Sequence, residues 1–251
     1  MNKNISPLIT IVIPSMNQGI YIEKCITSII NQNISVEIFI MDGGSSDDTL
    51  RIIKKWEKYI TRWRSRIDEG QSAAINEGVA LGTAPYICWL NSDDYLLENG
   101  LSYLLEAIEN NPNVPAVYGN AYLFNENDNK FKKVWVQKFS KNKLAIRCII
   151  SQPATLIRRD KFEQIGGLNE KLFMSFDYDL WWRLYLNFGN LYHTEKVIAV
   201  NRIHNKTKTN NNRLLHYKES INIVKNYNKY IPIKWLLYWP YAVFYKSIIK
   251  K

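Results

Sequence analysis

Cysteine is scarce and scattered in this chain of 251 residues: Cys25, Cys88 and Cys148 stand far apart among apolar neighbours. That spacing offers no disulfide framework and no paired metal ligands, and it predicts reduced core thiols in a cytoplasmic protein. Long apolar runs are missing as well. The stretch between Lys234 and Lys246 holds 11 residues and is interrupted by Pro240, short of the ~20 that span a bilayer. Met1-Asn2-Lys3-Asn4-Ile5-Ser6-Pro7 runs into a strand-like segment with no apolar signal run, so secretion is not expected. Acidic residues are nearly absent from the C-terminal fifth. Residues 201–251 carry 11 Lys and Arg against the single acid Glu219, so the formal charge of +10 belongs to this tail. A nucleic-acid-binding protein would spread such charge over its fold, and no nucleic-acid partner is expected.

The glycine loops that cradle phosphates are absent too. The turn after the first strand-like run reads Pro14-Ser15-Met16-Asn17-Gln18-Gly19, not Gly-x-Gly-x-x-Gly, and no Walker pattern occurs. A dinucleotide oxidoreductase is therefore disfavoured. A sugar-1-phosphate nucleotidyltransferase would need a Gly-rich loop bearing Arg or Lys at the same place. It remains the alternative enzyme class, beside a non-catalytic nucleotide-sugar-binding membrane scaffold.

What is present is the alternation of an α/β protein. Apolar runs at Leu8–Ile13, Val36–Met41 and Tyr86–Leu90 alternate with helical patterns over 18–31, Ser46–Tyr59, Ser72–Leu81 and Asn99–Glu109. This predicts a largely parallel sheet with helices on both faces. Ala116–Phe124 and Lys130–Lys138 flank a polar turn and predict an antiparallel hairpin. A short helix near 160–165, a helix from Asp177 to Asn187 and a strand over Val197–Arg202 follow. From Leu214 the chain reads as helical, with a break at Pro232.

Acids close successive strands, at Asp42, Asp68 and Asp93-Asp94. In open α/β sheets that rim is where ligands bind. Ser92, Asp93 and Asp94 could instead cap a following helix. Two adjacent carboxylates repel, so solvent, a basic partner or a bound cation must offset them.

On these residues the chain resembles glycosyltransferase family 2, inverting transferases of the GT-A type, and bacterial surface-polysaccharide members most of all. The segments that carry the resemblance are Ile11–Asn17, Met41–Thr49, Asp68-Glu69-Gly70-Gln71, Asn76-Glu77-Gly78, Leu90–Asp94, Ser151–Thr155, Gly166-Gly167-Leu168 and Phe176–Trp181. The resemblance implies a GT-A (Rossmann-like), mostly parallel mixed sheet with a C-terminal helical extension. The transferase domain would span 1–212, with a nucleotide-binding half to about 110 and an acceptor half from about 111. Residues 213–251 would form a basic, aromatic helical tail.

Roles follow by resemblance. Pro14, Asn17, Asp42, Asp68, Asn76 and Asp93 would bind the nucleotide-diphosphate sugar, a UDP-sugar by default, and Arg202 its phosphates. Asp94 and His204 would hold the metal, Mn²⁺ or Mg²⁺. Asp177 would be the catalytic base, ahead of Asp179, and Trp181 and Trp182 would flank an acceptor sugar. Two departures stand out: no basic residue at Ile75 or Glu77, and no acid directly before Asp177. His193 and His216 read as structural.

In the tail, Trp235, Tyr238, Trp239, Tyr241 and Tyr245 are side chains that favour the headgroup level. With the local positive charge they predict a helix lying on the anionic inner leaflet, beside a glycan acceptor on a polyprenyl-diphosphate lipid. A helix docked on the protein or at a homodimer contact is the other use of the segment.

Overall fold

The computed structural model describes residues 6–205 and 207–245. Lys206, Lys246, Lys250 and Lys251, part of the positive charge read from the tail, and the side chain of Tyr245 lie outside the described residues.

Four parallel strands form the first half of the sheet. They are β1 (Ile9–Ser15), β2 (Val36–Asp42), β3 (Arg62–Ser65) and β4 (Tyr86–Trp89), in spatial order β3-β2-β1-β4. All seven residues of β1 are buried, as expected of a β-branched strand covered on both faces. Helices α1 (Ile22–Ile30), α2 (Thr49–Trp56) and α3 (Gln71–Leu81) make the crossovers. The order reverses between β1 and β4, and the loops leaving those two strands diverge there. Such a switch point opens a crevice at the carboxyl ends of the strands.

The second half is mixed. β5 (Tyr95–Leu96), α4 (Gly100–Glu109), β6 (Ala116–Asn125), β7 (Lys130–Lys133), α5 (Lys141–Ile146), β8 (Thr155–Arg158), α6 (Arg159–Gln164), α7 (Phe176–Phe188) and β9 (Tyr192–Ile203) follow. The sheet continues β4-β8-β6-β9-β5, with β7 hairpinned onto β6. β8 is antiparallel to both β4 and β6, so β6 and its parallel neighbour β9 run with β4. The end of β9 therefore reaches the same rim as the ends of β1 and β4. No helix follows Asp94 until Gly100, so the capping role considered for Ser92-Asp93-Asp94 does not arise.

Alternate residues of β1 feed two cores. Ile9, Ile11 and Ile13 pack with Ile22, Ile26, Ile52 and Leu101 on one face. Val12 points to the other, with Ile75, Trp89, Trp181 and Trp182. Gly78 lets α3 lie on β1, since a β-carbon there would come within 2.5 Å of Val12 Cγ1.

The tail begins with α8 (Lys208–Asn211) and α9 (Arg213–Asn228), then α10 (Ile233–Trp239) and one wide turn over Pro240–Tyr245. The segment expected as an appendage from 213 starts inside the fold: Ile223 and Val224 of α9 are buried in the core that holds Trp181 and Trp182. By contrast Ile233, Leu236, Leu237, Tyr238 and Tyr241 are exposed.

The expectation that Trp181 and Trp182 contact an acceptor is corrected. Both are fully buried; Trp181 stacks on Trp89 at 6.2 Å and Trp182 on Tyr227 at 6.2 Å. Their apolar bulk seats α7 on the sheet and under α9. Trp181→Ala should therefore cost about 3–5 kcal/mol of stability, read as a lower midpoint of denaturant unfolding. A native midpoint would return Trp181 to the surface of a site.

Candidate active site

A cleft of about 460 Å³ opens at the switch point, lined among others by Pro14, Ser15, Gly43, Asp68, Gln71, Asn91, Asp93, Gln152, Phe173, Asp177 and Lys208. Its size falls within the range of small-ligand sites.

Its floor is set by the loops after β1 and β2. The Asn17 N–H donates to Ser45 Oγ at 2.7 Å, and Asn17 Oδ1 accepts the Ser46 N–H at 2.9 Å. Asn17 sits in the left-handed region, at φ 54°, which Asn tolerates better than most residues. Its side chain thus braces two loops against each other.

Asp42 departs from expectation. It has no exposure, and its Oδ2 accepts the Gly44 N–H at 3.0 Å, the Ser45 N–H at 2.8 Å and the Ser65 hydroxyl at 2.6 Å. Its carboxylate is turned into the loop and shapes the floor without reaching a ligand.

Asp68 does line the cleft, accepting from Arg64 Nη1 at 3.0 Å and the Gly70 N–H at 3.1 Å. Arg64 also donates to Glu77 at 2.7 Å. Arg64 of β3, four residues before Asp68, thus sets a cation between Asp68 and Glu77, where positions 75 and 77 themselves carry none.

Asn76 is also corrected. It donates to the Leu168 carbonyl at 3.0 Å and to Glu170 at 2.7 Å, while its Oδ1 accepts the Leu168 N–H at 2.9 Å. These bonds occupy the amide in stitching α3 to the Gly166-Gly167-Leu168 turn, away from any nucleotide. Gly167 there has φ +71°, and a β-carbon on it would lie 2.8 Å from Asn76 Oδ1.

On the opposite wall, Asn91 accepts from Gln71 at 2.7 Å, and Gln152 donates to the Trp89 carbonyl at 2.7 Å. Of the carboxylate pair, Asp93 is the one on the cleft, its Oδ2 at 3.1 Å from His204 Nε2. Asp94 lies behind and is buried. Its Oδ1 accepts the Arg202 backbone N–H at 2.8 Å, and its Oδ2 faces the Asn91 amide at 3.3 Å. Burial first, then the neighbouring Asp93, push the Asp94 carboxyl well above the usual range.

Arg202 does not reach the cleft as expected. Its Nε donates to the Asp93 carbonyl at 2.9 Å, its Nη1 pairs with Glu126 at 2.9 Å, and its guanidinium lies over the Tyr21 ring at 5.0 Å. A cation held by a carboxylate, a carbonyl and an aromatic face stays where it is, so Arg202 fixes the loop from behind. His204, just past the end of β9, packs its ring against the same Tyr21 at 4.6 Å with a tilt of 35°.

Asp177 stands in the first turn of α7. Burial raises its pKa to about 6, against the Tyr178 N–H that it accepts at 2.8 Å and the nearby Lys208. Asp179, the second choice, is buried between Arg183 at 2.7 Å and the Tyr227 hydroxyl at 2.8 Å, and does not line the cleft.

Lys208 carries no signal of its own in its Asn- and Lys-rich segment, where nothing in the sequence separates it from solvated neighbours. Its ammonium donates to Gln71 Oε1 at 3.2 Å and sits 3.8 Å from the Phe173 ring centre. Burial lowers its pKa to about 8, while Glu219 and Asp177 resist that shift. The cleft thus combines one raised carboxylate, one lowered amine and the Asp93 carboxylate, behind which the His204 imidazole is buried. Among the described residues no group of three or more acidic, His or Cys side chains is gathered tightly enough to form a complete metal cage.

Known proteins resemble this chain in sequence and in fold. Residues 10–166 match the profile of Glycosyl transferase family 2. The chain is 28% identical over 231 residues to an uncharacterised glycosyltransferase of Rickettsia prowazekii, covering 87% of this chain and 72% of the relative. It is 29% identical over 224 residues to a hyaluronan synthase of Pasteurella multocida, covering 88% of this chain but only 23% of that longer protein. Among solved structures, TarS of S. aureus in complex with UDP-GlcNAc superposes with a TM-score of 0.70 at 14% identity, over 87% of this chain and 65% of that one. A mannosyltransferase of Pyrobaculum calidifontis in complex with GDP-Man and Mn²⁺ gives 0.70 at 15% identity, over 98% and 74%. These likenesses show the GT-A fold, and with more than half of its length matched by the family profile, the chain belongs to glycosyl transferase family 2.

Proposed function

We propose that this glycosyltransferase moves a sugar, with inversion, from a nucleotide-diphosphate sugar to a hydroxyl of a glycan acceptor. The observation that carries the reading is Asp177: a cleft carboxylate raised to about 6, facing the switch-point crevice. A general base works best when its pKa lies near the working pH.

The acceptor oxygen attacks the anomeric carbon as its proton passes to Asp177. The bond from that carbon to the diphosphate breaks on the opposite face, and the nucleoside diphosphate leaves. Lys208 stands ready to meet negative charge in the cleft, with Gln71 orienting its ammonium. The nucleotide would rest against Pro14, Ser15, Gly43 and Asp68.

A hard divalent cation would meet Asp93 as the carboxylate on the cleft, with the His204 imidazole and the Asp94 carboxylate buried behind it. Asp93 and His204, backed by Asp94, would hold Mn²⁺ or Mg²⁺, which when bound neutralises charge developing on the departing diphosphate. The neighbour that binds GDP-Man with Mn²⁺ supports this, and the UDP-GlcNAc complex of TarS supports a UDP-sugar as donor.

The acceptor side rests on the tail. Among the described residues no helix is long and apolar enough to cross a membrane. Yet Leu236, Leu237 and Tyr238 of α10 are more than half exposed in a strongly cationic segment, which suits an in-plane helix on an anionic leaflet. We assign the enzyme to the inner face of the cell membrane and its acceptor to a lipid-linked glycan of bacterial surface polysaccharide. The relatives named as chondroitin and hyaluronan synthases support polysaccharide chemistry.

Four outcomes test this reading. Asp177→Asn should lower kcat by about 10²–10⁴-fold while nucleotide affinity holds. In the wild type, kcat should fall on acidification through pH about 6, because the base must be ionised; a profile flat down to pH ~4, the ordinary carboxylate value, would reject Asp177. Chelation by EDTA should abolish transfer from a panel of nucleotide sugars and added Mn²⁺ should restore it; transfer that persists in EDTA rules out the metal. Leu236→Asp with Leu237→Asp should release the protein from vesicles of anionic lipid without changing turnover on a soluble acceptor, and unchanged vesicle binding would end the membrane assignment.

A further inference from the structure

Three successive backbone N–H groups just ahead of α7, those of residues 173–175, precede a helix start, where amides lack partners within the helix. All three are taken by one side chain from another element. The Glu219 carboxylate of α9 accepts the Phe173 N–H at 3.0 Å on Oε1, and the Met174 and Ser175 N–H groups at 2.8 Å on Oε2. Beside it the Ser175 and Ser220 hydroxyls meet at 2.9 Å, and both residues are buried.

Glu219 is the one acidic residue of 201–251. Phe173 and Met174 line the cleft, Asp177 follows two residues after the last clamped amide, and Lys208 feels the Glu219 charge. Glu219 itself is not part of the cleft lining.

We propose that Glu219 is a positioning residue for sugar transfer, clamping residues 173–175 so that the first turn of α7 presents Asp177 to the acceptor. A carboxylate here makes charge-assisted bonds to amides and sits at the favourable end of the helix dipole. It also explains why the basic tail returns into the fold before reaching its exposed end. Tyr217, one helical face away on α9, donates to the Trp235 carbonyl, and Trp235 Nε1 donates to the Ala145 carbonyl at 2.8 Å. The clamp and the exposed face of α10 thus belong to one helical unit. This inference rests on the reading of Asp177 as the base.

The test compares the full wild-type chain with Glu219→Ala and Glu219→Gln by steady-state kinetics, calorimetric titration with UDP, and amide hydrogen exchange at 173–175. Misplacing a reacting group by about 1 Å can cost ~10²-fold, so Glu219→Ala should lose about that much in kcat. UDP affinity should stay native and residues 173–175 should lose protection. Glu219→Gln retains one accepting oxygen and should recover part of the loss, with kcat about tenfold below wild type. Native kcat in Glu219→Ala, native exchange at 173–175, or kcat and UDP affinity falling together would each overturn the clamp. If Glu219→Ala does not fold, Glu219→Gln decides: native kcat overturns the proposal, and a lowered kcat with native UDP affinity supports it. A wild-type chain that transfers no sugar overturns the base assignment instead, an outcome separate from native exchange in the variant.

Discussion

The hydrogen bond from the Arg202 backbone N–H to Asp94 Oδ1, at 2.8 Å and across 108 residues of sequence, joins the two halves of the active site. One partner ends the parallel half, after β4; the other lies near the end of β9. A buried carboxylate needs such partners, because an unpaired one is strongly disfavoured in a low-dielectric interior. Once the bond is made, the Arg202 side chain can close on the Asp93 carbonyl and on Glu126 from the hairpin turn, and His204 arrives beside Asp93. The cleft wall is therefore a consequence of pairing β9 back against the rim of the first four strands.

Charge is arranged in layers behind that wall. Arg202 and Glu126 form a shielded pair, Asp94 is buried in front of them, and Asp93 lines the cleft with the buried His204 bonded behind it. On the far side, Asp177 and Lys208 are each moved by burial toward neutrality, the acid upward and the amine downward. Groups displaced in opposite directions across a shared cavity are a mark of chemical function more than of stability. Glu219 extends the same logic outward, binding backbone amides where a helix exposes them.

Much of this was legible in the chain. The β-branched runs and their alternation with helical periods yield the parallel half with strand bounds shifted by a residue or two, the first two helices starting four and three residues later than their patterns, and the Asn125–Asn129 turn marks the hairpin. Asp68, Asp93 and Asp177 can be singled out because acids at strand ends and helix starts have a period and a place. The misplaced polar residues carry the right groups, but other partners take them. Those of Asn76 and Arg202, Leu168 and Glu126, lie 92 and 76 residues away, whereas Asp42 is held by the Gly44 and Ser45 amides of its own turn as well as by Ser65, 23 residues on. Those side chains turned inward to satisfy buried backbone and charge. Trp181 and Trp182 read equally well as sugar platforms or as core, and only the faces of α7 and α9 choose between them.

The sequence by itself determined the fold class and the rim of the sheet where chemistry would occur, because hydrophobic periodicity and strand-end acids are local properties; the family came from its resemblance in a series of short motifs. Only the tertiary structure decided which polar groups face the cleft and which hold the walls. It alone brought Lys208 into the site and Glu219 onto the amides before Asp177. The physical reason is that a polar side chain's role depends on who satisfies it, and in a sheet of reversed strand order those partners come from distant parts of the chain.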